Sequence, residues 1–239
     1  MALPTQPYRA IVAVVARRST GSVFLGTGFF IDEDGTLLTA RHVLTDYGLE
    51  RLEEFQIAML RVRGRETTVE RFQLDGIEVS SRFDIALATA VGVQDIIPLE
   101  LASKDVGTDV DVLTEEYSGT TPSETGLNIL PYTRKGNIIC QRDEFLRPGW
   151  SEPASILELS YPALKGSSGA PVLVKQTGVV VGMILDNVEH HLLPAHVERI
   201  VDQKGGVTEE HEYFLPGGLA IHWSHLREFV DSIRAAGPR

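Results

Sequence analysis

Ser168 sits in the segment Gly166-Ser167-Ser168-Gly169-Ala170-Pro171. A serine hydroxyl is a poor nucleophile until a neighbouring base takes its proton. Glycines on both sides let the backbone turn tightly and let a substrate approach closely. Such a turn can aim successive backbone N–H groups at one point, as an oxyanion requires. On its own the segment reads as a Gly-Ser turn ahead of a strand, so the chemistry needs partners elsewhere. His42 follows the apolar stretch Leu38-Thr39-Ala40-Arg41, where a short helix can open. Asp84 stands directly before Ile85-Ala86-Leu87, which reads as core, and a charge at a core edge needs a partner. A histidine N–H would serve and would fix the imidazole tautomer. A backbone turn or the adjacent Arg82 is the alternative. His42, Asp84 and Ser168 occur in that order, separated by 42 and 84 residues. Together they offer the nucleophile, base and orienting acid of acyl transfer.

These groups need a scaffold, and the composition limits which one. The chain has 239 residues, 43% of them apolar, and a formal net charge of −11. That is an ordinary globular composition with enough chain for a sizeable core. The negative charge argues against a general nucleic-acid binder, which needs a positive face. The single Cys140 excludes an intramolecular disulfide and reads as a small buried apolar residue. The apolar runs Ala10 to Ala16 and Val179 to Leu185 fall far short of the roughly 18 to 20 residues that span a bilayer. Arg17-Arg18 follow the first run at once, with no small-x-small site after it, so it reads as a buried strand and not a signal peptide. The expectation is a cytoplasmic protein with no membrane partner.

Short strand-like runs separated by Gly and Asp turns fill most of the sequence. They include Ile11 to Ala16, Phe29 to Ile31, Phe55 to Val62, Ile85 to Ala90, Lys135 to Gln141, Ala170 to Val174 and Gly218 to Ile221. This spacing predicts an all-β sandwich or barrel. Residues 1–8, with Pro4 and Pro7, read as a loose tail. Ser118 to Ser123 reads as a linker dividing the strands into two groups, at about 9–117 and 125–222. Trp223, Leu226, Phe229, Val230 and Ile233 share one helical face, predicting a terminal helix over about 224–236, with Ser224 as N-cap and Gly237 as stop. Val188 to Tyr213 reads as a polar surface excursion. Its histidines, His190, His191, His196 and His211, lack metal-ligand spacing, so no metal is expected there. His222 and His225 read as surface or capping residues.

Three local motifs resemble those of one enzyme family. Thr39-Ala40-Arg41-His42-Val43 is similar to Thr-Ala-Ala-His-Cys. Asp84-Ile85-Ala86-Leu87 matches Asp-Ile-Ala-Leu, and Gly166-Ser167-Ser168-Gly169-Ala170-Pro171 is similar to Gly-Asp-Ser-Gly-Gly-Pro. The chain thereby resembles the trypsin-like (chymotrypsin-fold) serine proteases, of the bacterial type that includes HtrA proteases and glutamyl endopeptidases. Gly26-Thr27-Gly28-Phe29, Val181-Gly182-Met183 and Gly217-Gly218-Leu219-Ala220-Ile221 extend the likeness over roughly residues 9 to 235. A PDZ domain like that of many HtrA proteins is not expected after the helix.

The resemblance implies two six-stranded antiparallel β-barrels with a C-terminal α-helix. It implies Ser168 as nucleophile, His42 as proton carrier, Asp84 as the orienting acid, and the backbone N–H groups of Gly166 and Ser168 as the oxyanion hole. No cofactor is implied. Ser167 stands where trypsin has the aspartate that pairs with a freshly cut N-terminus, so activation of that kind is not expected. Pro162 occupies the position of trypsin's basic-selective aspartate. The implied pocket walls are Pro162, Ala163, Lys165, Met183, Ile184, Leu185, Asp186 and Gly218. Met183, Ile184 and Leu185 suggest an apolar or small preference, which Asp186 or Lys165 could reverse. The expected partner is a protein or peptide substrate, with a regulatory protein partner restraining an enzyme that lacks the zymogen device. The alternative is a catalytically silent binding module on the same fold.

Overall fold

The strand-forming runs close into two barrels. In the computed structural model, residues 9–18, 21–46, 55–63, 66–124, 126–191, 197–201, 207–212 and 214–237 are described, without the side chains of 63, 191, 197–201, 207–212 and 214. The expected tail and His196 lie outside the described residues, as do the side chains of His191 and His211.

The first barrel uses β1 (Ile11–Arg18), β2 (Gly21–Phe30), β3 (Thr36–Thr39), then the short helix α1 (Arg41–Thr45), β4 (Phe55–Arg63), β5 (Glu66–Val79) and β6 (Ala86–Ala90). Its order is β1-β2-β3-β6-β5-β4, closed by β4 on β1. The β2–β3 turn is held by Asp32, whose Oδ1 accepts from Asp34 N and Thr36 N, with Gly35 at φ +88°. The second barrel begins with β7 (Asp111–Glu116). The small hairpin β8 (Thr121–Ser123) and β9 (Gly126–Asn128) follows, then β10 (Tyr132–Phe145), β11 (Ala154–Leu159), β12 (Pro171–Val174) and β13 (Val180–His191). A further hairpin of β14 (Val197–Val201) and β15 (Val207–Glu212) precedes β16 (Phe214–His222) and the helix α2 (Trp223–Ala236). The order β10-β11-β16-β13-β12-β7 closes on itself through β7 and β10.

The chain thus has the expected all-β fold of two six-stranded barrels and a terminal helix, with differences in its joints. β7 already belongs to the second barrel, so the crossing between barrels runs through 91–110 and not through 118–124. The Gly-, Ser- and Thr-rich stretch read as a linker supplies the turn at Ser118-Gly119 and the strand β8. The excursion after Val188 is partly strand, since β13 and β16 stay paired out to His191 and Phe214. Helix α2 is capped by buried His222 and not by Ser224, because His222 Nδ1 accepts from Ser224 N. Gly237 ends the helix at φ +73°.

One buried apolar cluster joins Val12, Phe29, Leu37 and Ile85 of the first barrel to Leu113, Ile156 and Met183 of the second. A second cluster, with Val112, Ile138, Leu157, Val172 and Ile184, fills the rest of the second barrel. Arg227 of α2 donates to Leu101 O at 2.7 Å and Ala102 O at 2.9 Å, pinning the helix to the crossing segment.

Glu115 of β7 lines a cavity of about 90 Å³ between the barrels with Ile11, Tyr117 and Tyr132. Burial pushes its carboxyl up to about 7 from 4.5. Between these values the unfolded chain ionises while the folded one keeps its proton, so stability falls as pH rises. Glu115→Gln is expected to melt close to wild type at pH 4.5 and progressively above it as pH rises to 7.5. Melting curves across that range check this; a pH-independent difference overturns it.

Candidate active site

Sheet register brings His42 to Asp84. Thr39 at the end of β3 stands opposite Ala86 at the start of β6. The chain leaving β3 therefore runs beside the chain entering β6, and α1 opens against Asp84. Ala40 offers α1 no side-chain cap. The carboxylate takes that place, with Oδ1 accepting from His42 N at 2.9 Å. Its Oδ2 accepts from His42 Nδ1 at 2.7 Å. The Asp84 side chain is 8% exposed and that of His42 29%. Burial would push the Asp84 carboxyl up, but the hydrogen bonds and charge of His42, helped by Arg147, hold it below 3.8. Arg82, the alternative partner, pairs instead with Glu152 and Glu228. The turn before Asp84 is tied by Ser80 Oγ, which accepts from Arg82 N and Phe83 N.

Ser168 comes from the second barrel, and β2 of the first barrel holds its loop. Thr27 N donates to Ser168 O at 2.9 Å, and Thr27 Oγ1 donates to Gly166 O at 2.9 Å. Ser167 N and Oγ both return to Leu164 O, and Ser167 O accepts from Ala170 N. These bonds fix the peptide planes of the loop. Among the described residues neither Gly166 N nor Ser168 N has an acceptor, so both donors are free. Gly166 has φ +94°, and a Cβ there would lie 2.3 Å from Phe24 Cε1. Gly169 has φ +85°, and a Cβ there would lie 2.1 Å from Thr27 O. Both positions need glycine for conformation and for space.

Ser168 Oγ donates to Leu185 O at 3.2 Å, and no hydrogen bond joins it to His42. The register of β13 on β16 shifts between Ile184 and Asp186, a bulge that turns Leu185 out of the ladder. His42, Asp84, Ser168, Leu185 and Asp186 line one cleft of about 420 Å³, with Arg41, Asp46, Arg147 and Trp150.

The implied pocket residues do not form one group. Leu185 and Asp186 reach the cleft. Met183 and Ile184 do not, because β13 is paired on both sides there and its successive side chains enter the two cores. Lys165 is exposed, and Pro162 and Ala163 are half-buried away from the cleft lining. Gly218 is buried, with its N donating to Tyr161 O at 2.7 Å. Among the described residues no three His, Cys, Asp or Glu side chains come together as a metal site; His190 Nε2 stands 3.6 Å from Glu158 Oε2.

Three site residues escaped the sequence reading. Arg147 Nη1 lies 3.6 Å from Asp84 Oδ2 while its Nη2 donates to Asp186 Oδ2 at 2.7 Å. Nothing in Leu146-Arg147-Pro148-Gly149-Trp150 beyond a turn signal marks it. Thr27 did carry a signal, as a polar residue inside an apolar strand. Asn187, whose carboxamide bonds both backbone groups of Ala163, carried none.

A family model described as the trypsin-like peptidase domain matches residues 26–183, more than half of the chain and all three of His42, Asp84 and Ser168. No curated protein sequence matches significantly. Among solved structures, an inactive form of a Rv3671c mutant from M. tuberculosis H37Rv superposes with TM-score 0.60 at 16% identity, covering 97% of this chain and 90% of that one. The HtrA-type protease AlgW with a tripeptide gives TM-score 0.56 at 18% identity, over 95% of this chain and 60% of its own. The MamO protease domain from Magnetospirillum magneticum, in its apo form, gives 0.58 at 14%, over 94% and 97%. At these identities the structures share the fold.

Gly169→Ala should destabilise the protein by about 2 kcal/mol or more, since the new Cβ meets backbone oxygen at a positive φ. Denaturant unfolding measures this; a change within 0.5 kcal/mol, a bound on the order of an ordinary surface substitution, would contradict the placement of the loop.

Proposed function

We propose that this chain, which belongs to the trypsin-like peptidase family, is a serine endopeptidase acting through His42, Asp84 and Ser168. The observation that carries the reading is the 2.7 Å contact of His42 Nδ1 with a buried, ionised Asp84 in the cleft that holds Ser168. With Nδ1–H committed to Asp84, the neutral imidazole has its lone pair on Nε2, the form that can take a proton from a hydroxyl.

In the proposed mechanism Ser168 Oγ leaves Leu185 O, passes its proton to His42 Nε2 and attacks the scissile carbonyl carbon. The oxyanion is met by the free N–H groups of Gly166 and Ser168. Asp84 stabilises the imidazolium. Collapse expels the amine, which takes the proton from His42, and leaves an acyl ester on Ser168. Water activated by His42 then releases the acid. An extended substrate can pair with the edge of β13 beyond Ile184, whose own N–H and C=O are taken by Ala170 and Gly169.

A second reading has its own support. The Ser168 hydroxyl is engaged by Leu185 O and not by His42. That contact fits a catalytically silent module, or an enzyme latent until a partner or substrate turns the serine.

Fluorophosphonate labelling of the purified chain separates the two. The peptidase reading expects labelling of wild type that disappears in Ser168→Ala and His42→Ala. It also expects Asp84→Asn to lower kcat by roughly 10⁴-fold, because the amide favours the wrong tautomer. A folded wild type that never labels, or labelling that survives in Ser168→Ala, would rule it out.

A further inference from the structure

We infer that Asn187 closes the slot that would take the side chain on the acyl side of the scissile bond, restricting that residue to glycine, alanine or serine. The inference rests on the proposed reading of Ser168 as nucleophile.

Ser168 Oγ and the free N–H groups of Gly166 and Ser168 fix where the reacting carbonyl must sit. In the proposed reading the acyl-side chain continues along the edge of β13 beyond Ile184, where neither β12 nor the nucleophile loop bonds it. In that pose the side chain next to the carbonyl is directed between 162–166, which leads to the nucleophile, and 185–188, whose Leu185 O meets Ser168 Oγ.

That gap is already spanned. Asn187 Oδ1 accepts from Ala163 N at 2.7 Å, and Asn187 Nδ2 donates to Ala163 O at 3.0 Å. The carboxamide thus pairs with Ala163 as a neighbouring strand would, using its donor and acceptor at once. The next wall is shut as well. Gly218 N donates to Tyr161 O at 2.7 Å, and even a Cβ on Gly218 would lie 2.7 Å from that oxygen. The open cleft lies on the His42, Asp84 and Arg147 side and is lined by neither Ala163, Asn187 nor Gly218. A side chain longer than a methyl or hydroxymethyl group would have to break both Asn187 bonds, leaving the half-buried N–H and C=O of Ala163 without partners. The small preference follows from this strap and not from Met183 or Ile184.

The test uses the full chain and peptidyl diphenyl phosphonates whose residue at phosphorus mimics alanine, leucine or phenylalanine. Covalent capture at Ser168 is timed by intact mass. Wild type should be captured by the alanine probe about tenfold faster or more than by the phenylalanine probe. Asn187→Gly should narrow that ratio, and Asn187→Asp, which keeps the acceptor but loses the donor, should narrow it less. The wild-type ratio stands even if a variant does not fold. A wild-type ratio under tenfold overturns the inference, as does capture by a small alkyl fluorophosphonate but by none of the three peptidyl probes. Failure of the alkyl fluorophosphonate itself to react with Ser168 is the separate outcome that removes the nucleophile reading, and the inference with it.

Discussion

Thr27 is the point on which the two barrels agree about where Ser168 stands. Histidine and aspartate come from the first barrel and the serine from the second, so their alignment is an inter-barrel property. Thr27 belongs to β2 and is fully buried. Its N–H holds the carbonyl of Ser168, and its hydroxyl donates to Gly166 O while accepting from Tyr117 N. Thr39, at the end of the strand that leads to His42, donates in turn to Thr27 O at 2.7 Å. One residue thereby links the strand before the histidine, the first connection of the second barrel and both carbonyls of the nucleophile loop. Thr27, Thr39 and Tyr117 are buried and Gly166 and Ser168 half-buried, and an unmade buried hydrogen bond costs about 1–3 kcal/mol. That penalty keeps the loop in one conformation. The Ser168 N–H shares its peptide plane with Ser167 O, which Ala170 N holds, and so keeps a fixed direction with no acceptor of its own among the described residues.

The demand for room at this junction explains the glycines better than turn formation does. Gly169 is packed against Thr27 O and Thr39 Oγ1, and Gly26 against Val43 and Ser168 O. A side chain at either position would push the barrels apart where the hydrogen bonds need them closest. Gly166 answers to Phe24 in the same way. The backbones approach closely enough there for Thr27 N to bond Ser168 O directly, main chain to main chain across the two barrels.

The sequence showed the fold through short-range signals. Alternating and continuous apolar runs marked the strands, Gly and Asp residues marked the turns between them, and the stripe ending at Ile233 marked the helix. The candidate site was readable because its three side chains lie in motifs, each within a few residues of a strand end. What stayed hidden depends on pairing across the sheet. Ser118 to Ser123 has linker chemistry, but whether β7 joins the first or second barrel is decided by its partners β10 and β12. The helix cap went to His222 because that residue, at the end of β16, is buried beside Ser224 with a lone pair to offer. Met183 and Ile184 look like pocket walls in the sequence because the register that sends them to opposite cores lies in β12 and β16, not in their own segment. Arg147 and Asn187 act across 63 and 24 residues of chain, and no local pattern could announce either contact.

Arg147 adds an electrostatic constraint to the proposed chemistry. Its guanidinium spans Asp84 on the first barrel and Asp186 on the edge of β13. A cation beside Asp84 competes with the imidazolium that Asp84 would stabilise, which by itself would weaken the base. Distance decides the contest: His42 Nδ1 is at 2.7 Å and Arg147 Nη1 at 3.6 Å, beyond hydrogen-bond range. Asp186 draws the other side of the guanidinium into a 2.7 Å bond, so much of the positive charge is compensated away from Asp84. The same contact keeps Arg147 from collapsing onto the buried carboxylate and displacing the histidine. Asp186 and Leu185 are neighbours, one holding the cation and the other the serine hydroxyl.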